Sequence, residues 1–102
     1  MYDVRMKLRF SWDEEKDRQN QRKHRVSFTE AASIFHNLPF EVFHDPDHSL
    51  HEDRYIAAGF SDRSRLLLVV HCENPAGTEI RIISARRATK AERRALFGGT
   101  LP

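Results

Sequence analysis

The stretch from Tyr55 to Ala85, YIAAGFSDRSRLLLVVHCENPAGTEIRIISA, decides the fold. Three runs lie within it, Tyr55–Phe60, Arg65–Cys72 and Glu79–Ala85, dominated by the apolar and β-branched residues that suit a pleated, half-buried surface. Between them stand Ser61-Asp62-Arg63-Ser64 and Asn74-Pro75-Ala76-Gly77, both built from turn formers. Connections this short join antiparallel neighbours, because a parallel crossover takes about a dozen residues or more. The stretch therefore reads as an antiparallel meander.

Working outward toward the N-terminus, Leu8–Trp12 alternates apolar and polar residues and reads as a short strand ending at Asp13. Asp13 is an N-cap for a helix over Glu14–Lys23, whose acids fall in the first turn and whose bases fall in the last, matching the helix dipole. Ser27-Phe28-Thr29-Glu30 offers a second cap, and Ala31, Ala32, Ile34, Phe35 and Leu38 form an apolar stripe at helical spacing. That helix runs to about His36 and stops before Pro39. Phe40–Phe43 is a short extended run, and Asp45-Pro46-Asp47-His48-Ser49 makes a loop. At the other end Thr89 caps a helix over Lys90–Phe97, ended by Gly98-Gly99.

The class is α+β: two N-terminal helices packed on an antiparallel meander sheet, with a short C-terminal helix. One sheet face must lie under the first two helices to make a core, leaving the other open. Trp12, Phe10 and Phe28 belong with that core rather than on a stacking platform. At 102 residues the chain is expected to form a single domain over its whole length. It has no run of roughly 20 apolar residues for a membrane span, and its charged start Met1–Arg9 lacks the apolar core of a signal peptide, so a cytoplasmic protein without membrane contact is expected. A lone cysteine, Cys72, fits a reducing compartment and reads as packing in a strand.

The net charge of +2 says little, but its distribution says more. Arg81, Arg86, Arg87, Lys90, Arg93 and Arg94 face the single acid Glu92 in the last stretch of the chain. Lys16, Arg18, Arg22, Lys23 and Arg25 form a second basic cluster, while Glu41–Asp53 is acidic. Such segregation suits a polyanion-binding face, and equally suits solvated helix faces that complement their own dipoles.

Several short motifs follow one another in order. They are Phe10-Ser11-Trp12-Asp13; Lys16, Asn20 and Lys23-His24; Val26-Ser27-Phe28-Thr29-Glu30-Ala31; Asp45 to Ser49; Glu52-Asp53-Arg54; Arg65 to Val69; Arg81 to Thr89; and Glu92-Arg93-Arg94. From about Arg9 to Arg94 this succession resembles the BrnT toxins, the RNA-cleaving halves of bacterial toxin–antitoxin pairs. The resemblance implies a RelE-like fold, metal-independent cleavage of RNA that inhibits translation, and no cofactor. It also implies a BrnA-like antitoxin with a ribbon-helix-helix DNA-binding domain, in a complex of two toxins and two antitoxins that reaches DNA only through the antitoxin. Residues 1–5 extend beyond the usual start. Arg25 stands where the family has glycine, which puts a positive-φ turn there in question. Leu96 stands where tyrosine is expected, leaving Phe97 to supply only stacking.

Metal-free RNA cleavage uses the 2′-hydroxyl as nucleophile, so the protein must supply a base, an acid and positive charge against the pentacovalent phosphate. Arginine suits the last task because its planar fork binds two phosphate oxygens and stays protonated. Arg54, Arg65 and Arg86 lie at or near strand ends and match family positions. Arg54 and Arg86 are the catalytic candidates among them, and Arg65 joins Lys16, Lys23, Arg81 and Arg93 as RNA-binding candidates. His24 and Glu52 are candidate proton-transfer groups; the alternatives are a helix-end packing role for His24 and an ion pair with Arg54 for Glu52. The cluster His44, Asp45, Asp47, His48, His51, Glu52 and Asp53 is the one arrangement suggestive of a metal, but Pro46 argues for a loop rather than a helical ligand pair, and no metal is expected. A non-catalytic RNA- or protein-binding module, a toxin relic disabled by changes such as Leu96, stands as the alternative reading.

Overall fold

The computed structural model describes residues 8–37, 40–45 and 53–97. In chain order they form β1 (Arg9–Ser11), α1 (Glu14–His24), α2 (Phe28–Ser33) running into a 3-10 turn (Ile34–His36), β2 (Phe40–His44), β3 (Arg54–Phe60), β4 (Leu66–Glu73), β5 (Glu79–Arg87) and α3 (Lys90–Phe97). Residues 1–5, the stop at Pro39, most of the loop after Asp45 including Glu52, and Gly98-Gly99 lie outside the described residues.

The helix ends follow their side chains. Asp13 Oδ1 accepts from the backbone N–H groups of Glu15 at 2.8 Å and Lys16 at 3.1 Å, which hold its carboxyl below the usual range. At the other end of α1, Arg25 takes φ 61° and ψ 31° and donates its N–H to the Gln21 carbonyl at 2.9 Å. The left-handed turn thus forms with an arginine in place of glycine, against the Cβ strain that disfavours it. Ser27 Oγ accepts from Glu30 N–H at 3.0 Å and starts α2.

Helix α1, EEKDRQNQRKH, has no apolar residue, so hydrophobic burial cannot dock it. Buried Asn20 does so instead. Its Nδ2 donates to the carbonyls of Val26 and Ala85, both at 2.8 Å, and its Oδ1 accepts from Ala85 N–H at 3.1 Å. Asp17 Oδ1 accepts from Phe28 N–H at 2.9 Å and fixes the turn into α2.

Among the described residues the sheet has five strands in the order β1-β5-β4-β3-β2. Strands β2 to β5 form the expected antiparallel meander, while β1 pairs with β5 in parallel, Arg9 opposite Glu79 and Ser11 opposite Arg81, making the sheet mixed. Short connections do not fix the place of β1, because α1, α2 and three strands intervene before its partner. Alternation along the strands turns Ala57, Leu67, Val69, Ile80, Ile82 and Ala85 toward Phe28, Ile34 and Phe35 of the helix layer. Burial of each large side chain there stabilises by about 1.5–3 kcal/mol. Phe10 and Trp12 pack at the core margin, with ring centroids 5.7 Å from Phe35 and 6.1 Å from Phe28 respectively. At Gly59 a Cβ would lie 2.8 Å from Phe40 Cβ, so the close approach of β2 and the helix layer to β3 requires glycine.

The opposite sheet face is not left wholly open. Helix α3 crosses one end of it, where Leu96 and Phe97 line a pocket together with Ala58 and Leu66, and the centre of the Phe97 ring lies 5.9 Å from that of Phe60.

Candidate nucleic-acid interface

Strict alternation along β5 would put Arg81 and Arg86 on opposite faces, since they are five positions apart, an odd offset. A bulge prevents this. Cys72 pairs with Arg81 and His71 with Ile82, but Val70 pairs with Ser84, so Ile83 is the extra residue and the strand is re-phased. Arg86 then sits opposite Leu68, on the same face as Arg81 opposite Cys72. Arg54 also pairs with Cys72, from the other side, and therefore shares that face. Ser11, Arg81, Cys72 and Arg54 form one row across four strands, with Arg86 further along β5. Strand spacing puts the Cα atoms of Arg54 and Arg81 about 10 Å apart, and those of Arg81 and Arg86 about 13 Å apart along the strand. Ile56, Val70 and Leu68 form the apolar floor between them. At the β1 end Arg9, Ser11, Cys72, Asn74, Glu79 and Arg81 line a cleft of about 490 Å³.

Arg86 is held tightly. Its Nη1 donates to Glu92 Oε1 and its Nη2 to Glu92 Oε2, both at 2.7 Å, and Nη1 also reaches the Arg87 carbonyl at 3.3 Å. Glu92 is itself fixed at the start of α3 by a reciprocal cap: Oε1 accepts from Thr89 N–H at 2.9 Å and Glu92 N–H donates to Thr89 Oγ1 at 3.1 Å. The Arg86 guanidinium and the Thr89 N–H hold the Glu92 carboxyl down at about 2, and the Glu92 carboxylate in turn raises Arg86 above its ordinary value. Arg93, exposed on α3, lies with its guanidinium carbon 5.7 Å from the centre of the Phe60 ring. Lys90 and Arg94 are exposed on the same helix.

Arg65 is placed differently from the other arginines. Its Nε donates to Glu30 Oε2 at 2.9 Å, its Nη2 donates to Glu30 Oε1, and Nη2 also reaches the Arg25 carbonyl at 3.0 Å. Ser61 Oγ donates to Glu30 Oε2 at 2.7 Å, and Arg63 approaches Glu30 at 3.8 Å. Glu30 is buried, and the Arg65 guanidinium holds its carboxyl below the usual range. These bonds join α2 to the β3–β4 turn; they are a structural tie between layers.

Lys16 and Lys23 are exposed at the two ends of α1, and His24 is half-buried in its last turn. Among the described residues no hydrogen bond or ion pair joins His24 to Arg54 or Arg86; the bonds from α1 to β5 run through Asn20, which grips Ala85 beside Arg86. Of the acidic and histidine-rich loop, the described part shows His44 Nε2 3.7 Å from Asp53 Oδ1 and Asp45 buried. Leu96, in the position expected to hold tyrosine, lines a small pocket between α3 and the sheet, and the Phe97 ring lies tilted at 37° to that of Phe60.

Two residues that organise this face, Asn20 and Glu92, belong to the motifs read in the sequence but carry no role there. Glu92 stands out as the one acid in a basic stretch, and Thr89 three residues before it is the signature of a capping box. Asn20 has no such local signal, because every residue of α1 is polar. Fully buried His71, 2.9 Å from Glu73 Oε2, lies on the helix side of the sheet and packs on Phe35.

Comparison with known proteins agrees with the fold. The crystal structure of the Brucella abortus ribonuclease toxin BrnT superposes with a TM-score of 0.59 and 21% identity, over 81% of this chain and 99% of that one. No curated protein sequence matches the chain. Residues 12–92 match the family described as ribonuclease toxin, BrnT, of type II toxin-antitoxin system. That match takes in the bulged strand, its arginines and Glu92, and the chain belongs to the BrnT family of ribonuclease toxins.

Proposed function

We propose that this protein is an endoribonuclease that needs no metal, cutting RNA by attack of a 2′-hydroxyl on the adjacent phosphate across the exposed sheet face. The observation that carries this reading is the bulge at Ile83, which turns Arg81 and Arg86 onto the face shared by Arg54. Three guanidinium groups over an apolar floor offer bidentate donors to consecutive phosphates and charge to stabilise a pentacovalent intermediate. Arg93 and Lys90 on α3 extend the basic surface, and Lys16 and Lys23 serve the backbone at longer range. His24 and Glu52 are the proton-transfer groups of the proposal; Glu52 precedes Arg54 by two residues in the chain. Arg65 enters as a support for the scaffold rather than as a phosphate ligand.

Cleavage lowers the supply of messenger RNA and so inhibits translation. A BrnA-like ribbon-helix-helix antitoxin, in a complex of two toxins and two antitoxins, neutralises the protein by laying an acidic segment over the face that draws phosphate. The test is incubation of purified protein with RNA in EDTA, beside the Arg54→Ala and Arg81→Ala variants. Cleavage in the chelator that both substitutions weaken is the expected result; loss of all cleavage on chelation, restored by a divalent metal, would overturn it.

A further inference from the structure

The bonds of Arg86 leave one edge of its guanidinium unused. Nη1 and Nη2 face Glu92 end-on, and the outer Nη1 hydrogen points to the Arg87 carbonyl, so three of the five N–H groups are engaged. The remaining two, Nε–H and the second Nη2–H, lie side by side along the other bidentate edge of the group, and no protein acceptor among the described residues meets them. The side chain as a whole is 42% exposed. Glu92 in turn is held by its cap with Thr89, whose N–H donates to the Glu92 carboxylate while the Glu92 backbone N–H donates to the Thr89 hydroxyl.

The geometry points to Glu92 as a positioning residue for RNA cleavage: through Thr89, Glu92 and Arg86 in sequence, the start of α3 holds the guanidinium so that its Nε/Nη2 edge meets a substrate phosphate. The inference rests on the reading of Arg86 as a phosphate ligand. Glu92 touches no substrate; it removes the rotamer freedom that a long arginine would otherwise lose on binding the transition state. A carboxylate that competed with phosphate would instead have to leave before substrate could bind. The bonding favours the first role, since the edge left over is itself a complete fork.

The experiment compares kcat and KM for cleavage of an RNA oligonucleotide by the wild type, Glu92→Gln, Arg86→Ala and the double variant, each checked for its melting temperature. Glu92→Gln should lower kcat about tenfold or more with KM changed far less, as expected for a misplaced transition-state contact. In the Arg86→Ala background it should lower kcat no further. An equal loss in both backgrounds would show that Glu92 merely holds α3, and tighter binding with faster cleavage would show a competitor; either overturns the inference. An Arg86→Ala enzyme as fast as the wild type would instead overturn the reading of Arg86 itself. If Glu92→Gln does not fold, Glu92→Asp keeps the charge but shortens the reach, and undiminished kcat there would also overturn the positioning role.

Discussion

Replacing Arg65 by alanine removes the main partner of a buried carboxylate, and the structure sets the scale of the damage. Glu30 would keep Ser61 Oγ at 2.7 Å and have Arg63 at 3.8 Å, but would lose both donors of the fork. Truncating one partner of a buried ion pair costs about 3–5 kcal/mol. Arg65 retains 20% side-chain exposure and Arg63 stands near, so a loss of about 2–3 kcal/mol is expected, or a fall of about 10–20 °C in Tm for a domain of this size. The pH dependence sharpens the test. Glu30 is held below its ordinary value of 4.5 in the folded state, so its pairing contributes stability above that pH, and the contribution is lost as pH falls through the folded pKa. Thermal melts of wild type and Arg65→Ala should therefore begin to draw together only as pH falls below about 4.5, toward the lower folded pKa. A variant that melts within about 3 °C of the wild type at neutral pH would refute the structural role. So would a gap that stays constant on acidification.

Three further outcomes follow from the same structure. Arg25→Gly should relieve the left-handed strain at φ 61° and stabilise the protein by about 0.5–1 kcal/mol, read as a rise of a few degrees in Tm. Asn20→Ala should destabilise by about 3 kcal/mol, because it orphans buried polar groups of Val26 and Ala85; amide exchange at Ala85 should speed up with it. The double variant Arg54→Ala/Arg81→Ala should bind single-stranded RNA with a salt slope shallower by about 1.4, at roughly 0.7 for each phosphate no longer neutralised, and should bind the antitoxin more weakly in a titration of the same samples.

The meander was legible because its turns are short and chemically explicit, and α1 because Asp13 and the order of its charges announce both ends. The parallel pairing of β1 with β5 was not, since it depends on a pairing between residues far apart in the chain. The candidate site was legible as a set of arginines but not as a place. Alternation alone separates Arg81 from Arg86, and only the bulge, a tertiary adjustment with no clear local signal in the Ile82-Ile83 pair, reunites them. Arg65 looked equivalent to Arg86 in the sequence; burial of Glu30, which no pattern announced, distinguishes them. At Arg25 the absence of glycine raised doubt about the turn, yet the Gln21 bond and the pull of Arg65 on its carbonyl hold it.

The most direct test of the account is the chemistry of the cut. RNA incubated in EDTA with the purified protein should yield fragments ending in 2′,3′-cyclic phosphate, and an oligonucleotide carrying a single 2′-deoxy residue at the cut position should survive there while still binding. Fragments with 5′-phosphate ends, or equal cleavage of the 2′-deoxy substrate, would mean that water rather than the neighbouring hydroxyl attacks, and would contradict the mechanism built on Arg54, Arg81 and Arg86.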